Sequence, residues 1–259
     1  MTAIKEFFKT ILYKPLFNLL IWFVWLIPGH DVGWAIIILT VLIRLALYPS
    51  QKKSIESQKK MTEIQPELEE IKKKYPDQQA QAQATMDLYK RYKINPLSSC
   101  LPLLIQLPIL IILYRVFTVG LTTDRFDLLY NFTPRPEFID TMFYGLNLAT
   151  PSIYLAVLAG VLQFIQSWQM TKTQNKAKKE DKALVKKSNA PENMMGNFSK
   201  QMMYIFPVFT VIIAIKLPSA LALYWVITTL FMVIQQYFVY KSKPKIDNRG
   251  VSVSVKNSK

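Results

Sequence analysis

Long apolar blocks alternate with charged intervals along the chain. Each block approaches about 20 residues, the length that an α-helix needs to cross the hydrocarbon core of a bilayer. Hydrophobic residues make up 51% of the 259 residues. The pattern therefore predicts an all-α membrane protein with five transmembrane helices, at residues 32–50, 97–119, 148–169, 199–215 and 219–240.

An aromatic-rich stretch precedes the first of these blocks. Residues 11–27 are interrupted by Lys14, Pro15 and Asn18 and are slightly short for a span. This pattern favours a helix that lies along the membrane interface. A sixth span is the alternative, and it would place the N-terminus on the opposite side of the membrane.

The interval at residues 51–95 is soluble in character. Apolar residues recur at helical spacing through a first arm, in which Pro66 should kink or restart the helix. The sequence Tyr75-Pro76-Asp77 predicts a turn, and residues 78–92 follow as a second arm. The interval is therefore expected to form an antiparallel helical hairpin that projects from the membrane.

Basic residues are concentrated in three intervals. Ten of the 32 lysines and arginines lie in residues 51–95, eight in 171–200 and six in 240–259, whereas residues 118–150 contain two. The positive-inside bias places basic loops in the cytoplasm, so the N-terminus is expected outside and the C-terminus inside. Contact with ribosomal RNA is a further use for the net charge of +15.

Arg44 is the only charged residue in the apolar run of residues 34–48. A cation near mid-depth in a bilayer disfavours insertion by roughly 2.5–3.5 kcal/mol on insertion scales. No aspartate or glutamate occurs in any predicted span, so a salt bridge within the membrane is excluded. Arg44 is therefore expected to face a hydrated cavity, and it is the first candidate functional residue.

The predicted spans also carry neutral polar candidates. Gln106 lies in the second span, Gln163 and Gln166 lie on one face of the third, and Trp225 lies in the fifth. Ordinary hydrogen bonds between helices are the alternative role for each glutamine.

The chain lacks the sequence motifs of common catalytic and metal sites. We find no Gly-Xaa-Ser-Xaa-Gly, no His-Glu-Xaa-Xaa-His and no phosphate-binding glycine-rich loop. His30 and Cys100 are the only residues of their types, and neither has the partners that a metal or nucleophilic site requires. The expectation is a protein that is not an enzyme, with no catalytic residues, metal or cofactor.

Several motifs, in order across residues 12–240, resemble the signatures of the YidC/Oxa/Alb membrane protein insertases. They are Lys14-Pro-Leu-Phe-Asn18, the run 36–44 that ends at Arg44, Ile64-Gln-Pro-Glu-Leu68, the run 95–109, and Leu217-Pro-Ser-Ala-Leu-Ala-Leu-Tyr-Trp225 followed by Gln235-Gln236.

This resemblance implies a five-span core around a hydrophilic groove that is open to the cytoplasm and to lipid. Arg44, Gln166 and Trp225 correspond by position to groove-lining residues of the family, and Gln106 and Gln163 are expected to join them. The implied function is insertion and folding of nascent membrane proteins. A small transporter or channel with an anion site at Arg44 is the rival function, although the inverted repeats that many transporters contain are not visible.

The resulting organisation has three parts, all in a bacterial plasma membrane protein. Residues 1–31 form an external segment with the interfacial helix, residues 32–240 the five-span core, and residues 241–259 a basic cytoplasmic tail. Within the core, residues 171–197 are expected to be a cytoplasmic loop. Expected partners are nascent clients and the lipid bilayer, with the ribosome and the Sec translocase as further candidates.

Overall fold

The structure is a computed structural model that describes residues 9–95, 101–120, 127–182 and 194–241. It is predominantly helical. After a π-helical turn at Lys9–Tyr13, the helices are α1 (Lys14–Leu26), α2 (Val32–Glu63), α3 (Gln65–Lys74), α4 (Gln78–Arg91), α5 (Leu101–Gly120), α6 (Ile153–Lys182), α7 (Met194–Ala214) and α8 (Ser219–Lys241).

Three helical stretches among the described residues are long and apolar enough to cross a membrane, namely Val32–Glu63, Ile153–Met170 and Ser219–Lys241. Ile105–Val119 in α5 and Tyr204–Ala214 in α7 are shorter apolar stretches. Each predicted span therefore coincides with a helix.

Two helices extend well beyond the predicted spans. Although Pro49 lies inside it, α2 continues to Glu63, because a proline removes only one backbone donor and neighbouring turns keep their hydrogen bonds. The interval 171–197, predicted to be a cytoplasmic loop, begins and ends in helix, since α6 continues to Lys182 and α7 begins at Met194. The rest of that loop lies outside the described residues, as do the start of the predicted second span, Cys100 and nearly all of the C-terminal tail.

Local sequence signals explain several helix ends. Asp31 begins α2, because its carboxylate accepts hydrogen bonds from Gly33 N (2.7 Å) and Trp34 N (3.2 Å). Asp77 does the same for α4 through Ala80 N at 2.9 Å. Pro66 lies in the first turn of α3, a position that needs no backbone donor, so the helix restarts there.

The helices α3 and α4 run back along each other after a turn at residues 75–77. A small core of Ile64, Leu68, Leu88 and Ile94 joins them. The Tyr92 hydroxyl donates to Glu67 Oε1, and this hydrogen bond raises the pKa of Tyr92 to about 12. Little apolar area is buried here, which is typical of an element that opens locally.

The main core lies where α1, α2, α5 and α8 meet. Its largest fully buried apolar side chains include Phe17, Ile36, Phe117 and Leu221. The opposite face of α1 exposes Trp22 and Trp25. The helix α1 therefore presents one face to the bundle and an aromatic face to its surroundings.

Residues 127–150, here called the cap segment, hold the first turns of α2 and α8. Val32 N donates to Asp140 O at 3.0 Å, Ala220 N to Leu148 O at 2.9 Å and Ser219 N to Thr150 O at 3.0 Å. The segment contains a two-stranded antiparallel hairpin, Met142–Phe143 with Leu146–Asn147. The all-α prediction did not include these strands, which are only two residues long and carry no alternating pattern to detect.

Candidate functional site

Arg44 lies in α2 on the face that packs into the bundle. Thr40, one turn before it, is 1% exposed and Arg44 is 2% exposed. Leu42 and Leu45 on the other faces are 42% and 54% exposed. The helix therefore directs Arg44 inward and Leu42 and Leu45 outward.

The Arg44 guanidinium contacts a neutral amide from another helix. Arg44 Nη2 donates to Gln106 Oε1 of α5 at 2.8 Å. Gln106 Nε2 in turn donates to the Tyr224 hydroxyl of α8 at 2.7 Å. Arg44, Gln106 and Tyr224, here called the arginine cluster, thus join three helices, and both ends of the Gln106 amide are occupied.

The charge of Arg44 is not neutralised within the described part of the chain. No carboxylate there lies within salt-bridge distance of it, and its Nε has no hydrogen-bond partner. An amide dipole compensates a buried cation only in part, because a buried charge normally needs a counter-ion and complete hydrogen bonding. The arginine cluster therefore contains an uncompensated positive charge and one N–H donor that has no hydrogen-bond partner among the described residues.

The exposure of Arg44 differs from the sequence expectation. A side chain in an open, water-filled cavity would have substantial accessible surface, whereas Arg44 is 2% exposed. The expected cavity is closed in this structure because Gln106 and Tyr224 come from α5 and α8 and cover the guanidinium.

The other candidate residues are not part of the arginine cluster. Gln166 is buried at 9% exposure, and its Nε2 lies 3.7 Å from Met232 Sδ of α8. Gln163 and Trp225 are half-buried, and no hydrogen bond joins either to Arg44 among the described residues. The structure thus brings together Arg44 and Gln106, and places Gln166 at the contact between α6 and α8.

Comparison with known proteins assigns this chain to a family. Residues 23–246 match the family model described as 60Kd inner membrane protein. The chain is 37% identical over 212 residues to a membrane protein insertase YidC of Fusobacterium nucleatum, which covers 81% of this chain and 86% of that protein. The chain belongs to this family. The resemblance to the YidC/Oxa/Alb insertases that the motifs predicted is confirmed.

Other members of the family are also similar to this chain over most of their length. The chain is 33% identical over 249 residues to the insertase YidC 1 of Halalkalibacterium halodurans, covering 93% of this chain and 81% of that one. The insertase MisCA of Bacillus subtilis is 32% identical over 227 residues, covering 85% and 74%. Family membership and the apolar helices make this chain a multi-pass protein of the bacterial cell membrane.

A solved structure of the family has a related fold. A crystal structure described as an active YidC insertase with its first transmembrane domain resolved gives a TM-score of 0.53 at 27% identity. The match covers 90% of this chain but 47% of that one. This chain therefore spans about half the length of the solved protein.

Several buried polar residues of this family member were not predicted as site residues. Tyr224 was quoted in a motif but was not named as a site residue. The same is true of Gln235 and Gln236 of α8, whereas Gln51 of α2 and Thr228 of α8 were not mentioned. All four are at most 5% exposed. A signal was available, since Arg44 and Gln51 are seven residues apart, as are Thr228 and Gln235, which is the spacing of one helix face.

Proposed function

We propose that the protein inserts segments of newly made membrane proteins into the cell membrane without covalent chemistry. The observation that carries this proposal is the buried guanidinium of Arg44, which has only neutral partners among the described residues. The names of its relatives, membrane protein insertases, support it.

The arrangement we propose has five spans, α2, α5, α6, α7 and α8, which enclose a groove when it is open. Helix α1 lies along the outer interface, and its exposed Trp22 and Trp25 suit that position. The helical pair α3–α4 and the C-terminal end of α8 then lie in the cytoplasm with the basic residues. The N-terminus is outside, and residues 1–31, 32–240 and 241–259 form the external segment, the core and the tail.

In the proposed mechanism, Arg44 attracts the acidic leading segment of a client. The attraction is stronger than in bulk water because the site is partly dehydrated. A client carboxylate would supply the counter-ion that the described residues do not, and the free Nε of Arg44 offers it a hydrogen bond. Gln106 would then keep the guanidinium in place through its bond to Tyr224.

The apolar part of the client then moves into lipid past α6 and α8. Gln163, Gln166 and Trp225 lie on these two helices and would contact it on the way. Transfer of apolar surface from water supplies about 25 cal/mol per Å², so no nucleotide site is needed. The helical pair α3–α4 and the basic tail would receive the client and dock near the ribosome, and the Sec translocase would share some clients.

The test is insertion of small single-spanning clients by the purified protein in proteoliposomes. Arg44→Ala should slow insertion of clients with acidic external tails about tenfold or more, the equivalent of ~1.4 kcal/mol. Arg44→Lys should keep part of the activity, because it preserves the charge but not the planar donor set. Lys53→Ala on the exposed face of the same helix is the matched control. Normal insertion by Arg44→Ala would contradict the proposed role.

The same proteoliposomes distinguish insertion from the rival function, transport of a small anion. An insertase should leave trapped or external solutes undisturbed while clients acquire protease protection. Solute uptake without client insertion would favour transport instead.

A further inference from the structure

The turn of the hairpin in the cap segment holds an aromatic residue in a strained conformation. Phe143 pairs with Leu146, so Tyr144 and Gly145 form a two-residue turn, and their φ angles are 47° and 80°. Such turns usually have the sequence Asn-Gly, because most other side chains are disfavoured at a positive φ. The Tyr144 side chain is 81% exposed, so it buries little surface that would offset the strain. A strained and exposed aromatic residue indicates a role outside the packing of the chain itself.

Ring contacts connect this turn to the start of α2. The Tyr144 ring lies edge-on to the Phe143 ring, with 4.8 Å between their centroids. The Phe143 ring in turn lies edge-on to the ring of Trp34 in the first turn of α2, with 6.0 Å between centroids. The three rings therefore form a continuous aromatic row from the helix to the turn.

Trp34 begins an exposed apolar strip on α2. Leu45 and Tyr48 lie on the same helix face, about three and four turns further along, and all three side chains are exposed. The stretch Val32–Glu63 is long and apolar enough to cross a membrane. An exposed apolar face on such a helix faces lipid, so Trp34 lies where this lipid-facing strip begins.

The turn also adjoins a second strip of this kind, on α6. Gly145 of the turn lines one groove together with Ile153 and Tyr154, the first residues of α6. Tyr154 is exposed, and the exposed Val161 and Trp168 lie on the same face of α6, about two and four turns further along. This part of α6 is also apolar enough to cross a membrane. The hairpin turn therefore adjoins the starts of two lipid-facing strips.

The hairpin and the residues that follow it carry no charge. The sequence of residues 141–154 contains no aspartate, glutamate, lysine or arginine. The charged residues of the cap segment all precede the hairpin, and they are Asp127, Arg135, Glu137 and Asp140. A partner protein that is recognised by charge would find no complementary group on the hairpin. The boundary between lipid headgroups and acyl chains, in contrast, favours Tyr and Trp, because each has an apolar ring and a polar end.

We propose that the hairpin turn is a membrane anchor, in which the Tyr144 ring enters the lipid leaflet at the cap-segment end of the bundle, beside Trp34 and Tyr154. The Tyr144 hydroxyl contacts the headgroups, and its ring packs against the first carbons of the acyl chains. Asp140 O accepts a hydrogen bond from Val32 N at 3.0 Å, so the anchor also holds the start of α2 at this level. The anchor requires only that the chain lies in a membrane, and it does not depend on client insertion.

The first experiment measures the depth of the turn in a bilayer. A nitroxide spin label is attached at Tyr144→Cys or, as the control, at Glu137→Cys, an exposed position of the same segment. Both are made in a Cys100→Ser background, which is otherwise free of cysteine. In phosphatidylcholine proteoliposomes, collision rates with oxygen and with a water-soluble nickel chelate should place the label at position 144 about 5–10 Å into the boundary between headgroups and acyl chains. The label at position 137 should lie in water. A label at position 144 that lies in water, or that a protein contact shields from both reagents, would overturn the proposal.

The second experiment separates anchoring from support of the turn. Asparagine adopts a positive φ readily, so Tyr144→Asn should leave the midpoint of thermal unfolding in detergent unchanged or raise it. A spin label at Met142→Cys, a 49% exposed position of the hairpin, reports the depth of the hairpin in proteoliposomes. This label should move toward water by about 5 Å in Tyr144→Asn and keep its depth in Tyr144→Trp, since tryptophan also favours the interface. A lowered midpoint would mean that Tyr144 supports the fold, and an unchanged depth in Tyr144→Asn would mean that its ring does not hold the hairpin in lipid. Either result would contradict the anchor.

Discussion

Asn18 and Gln235 are both buried amides, at 4% and 2% exposure, but they differ in how fully they are bonded. Asn18 Nδ2 donates to Lys14 O (2.8 Å) and Leu128 O (3.1 Å), and its Oδ1 accepts from Tyr130 N (2.7 Å) and Thr133 Oγ1 (2.8 Å). Gln235 makes one hydrogen bond and leaves its oxygen free.

This difference separates a structural amide from a candidate functional one. Asn18 uses every donor and acceptor that the side chain offers, and it fixes α1 to the cap segment. A fully bonded buried group of this kind rigidifies the fold. The side-chain oxygens of Gln51, Gln235 and Gln236 and the Nε of Arg44, by contrast, have no hydrogen-bond partner among the described residues. A buried polar group in this protein is thus better judged by its unused bonds than by its burial.

Removal of the fully bonded amide should have the largest effect on stability. Asn18→Leu should destabilise the protein by about 3 kcal/mol, because it strands the backbone groups of Leu128 and Tyr130 in a buried site. The midpoint of thermal unfolding in detergent measures this. Asn131→Leu, an exposed asparagine of the cap segment, is the control and should change the midpoint little. Equal effects of the two variants would mean that Asn18 does not hold the cap.

A second variant tests the contact of the cap segment with α2. Gly33 faces the Phe143 ring, and a Cβ added at Gly33 would overlap that ring. Gly33→Ala should therefore cost roughly 2 kcal/mol of stability. The double variant Gly33→Ala/Phe143→Ala relieves the overlap, so its destabilisation should be smaller than the sum of the two single effects. Additive single effects in thermal unfolding would contradict a direct contact.

The smallest effect is expected in the helical pair α3–α4, which lies far from the cap segment in the chain. Tyr92→Phe removes the hydrogen bond to Glu67 and should cost about 1 kcal/mol. Hydrogen exchange of the α4 amides should quicken, while that of α2 near Val32 stays as it was. Faster exchange in both regions would show that the α3–α4 pair and the start of α2 do not open independently.

The same bond has a defined pH dependence. Because the pKa of Tyr92 is raised to about 12, the folded pair holds the phenolic proton more tightly than the unfolded chain does. Its contribution is complete below the ordinary tyrosine pKa of about 10 and is lost as the pH rises through about 12. The difference in free energy of unfolding between wild type and Tyr92→Phe, measured by denaturant unfolding, should therefore shrink as the pH rises from about 10 toward about 12.

The local features of this protein could be read from its amino-acid sequence. The apolar blocks indicated where the long helices lie, Asp31 and Asp77 begin two of them, and Pro66 restarts a third. Such features depend on neighbouring residues and on helical periodicity, which are readable from a single chain. The lone cation at Arg44 and the family motifs were readable for the same reason.

Which polar groups meet could not be read in this way. Arg44 and Gln106 are 62 residues apart in the chain, Gln106 and Tyr224 are 118 apart, and Asn18 and Leu128 are 110 apart. Periodicity gives each of these residues a helix face or a loop position but not a partner, because the partner depends on the order and rotation of the packed helices. The burial of the Arg44 guanidinium and the unpaired oxygens of Gln51, Gln235 and Gln236 follow from that packing.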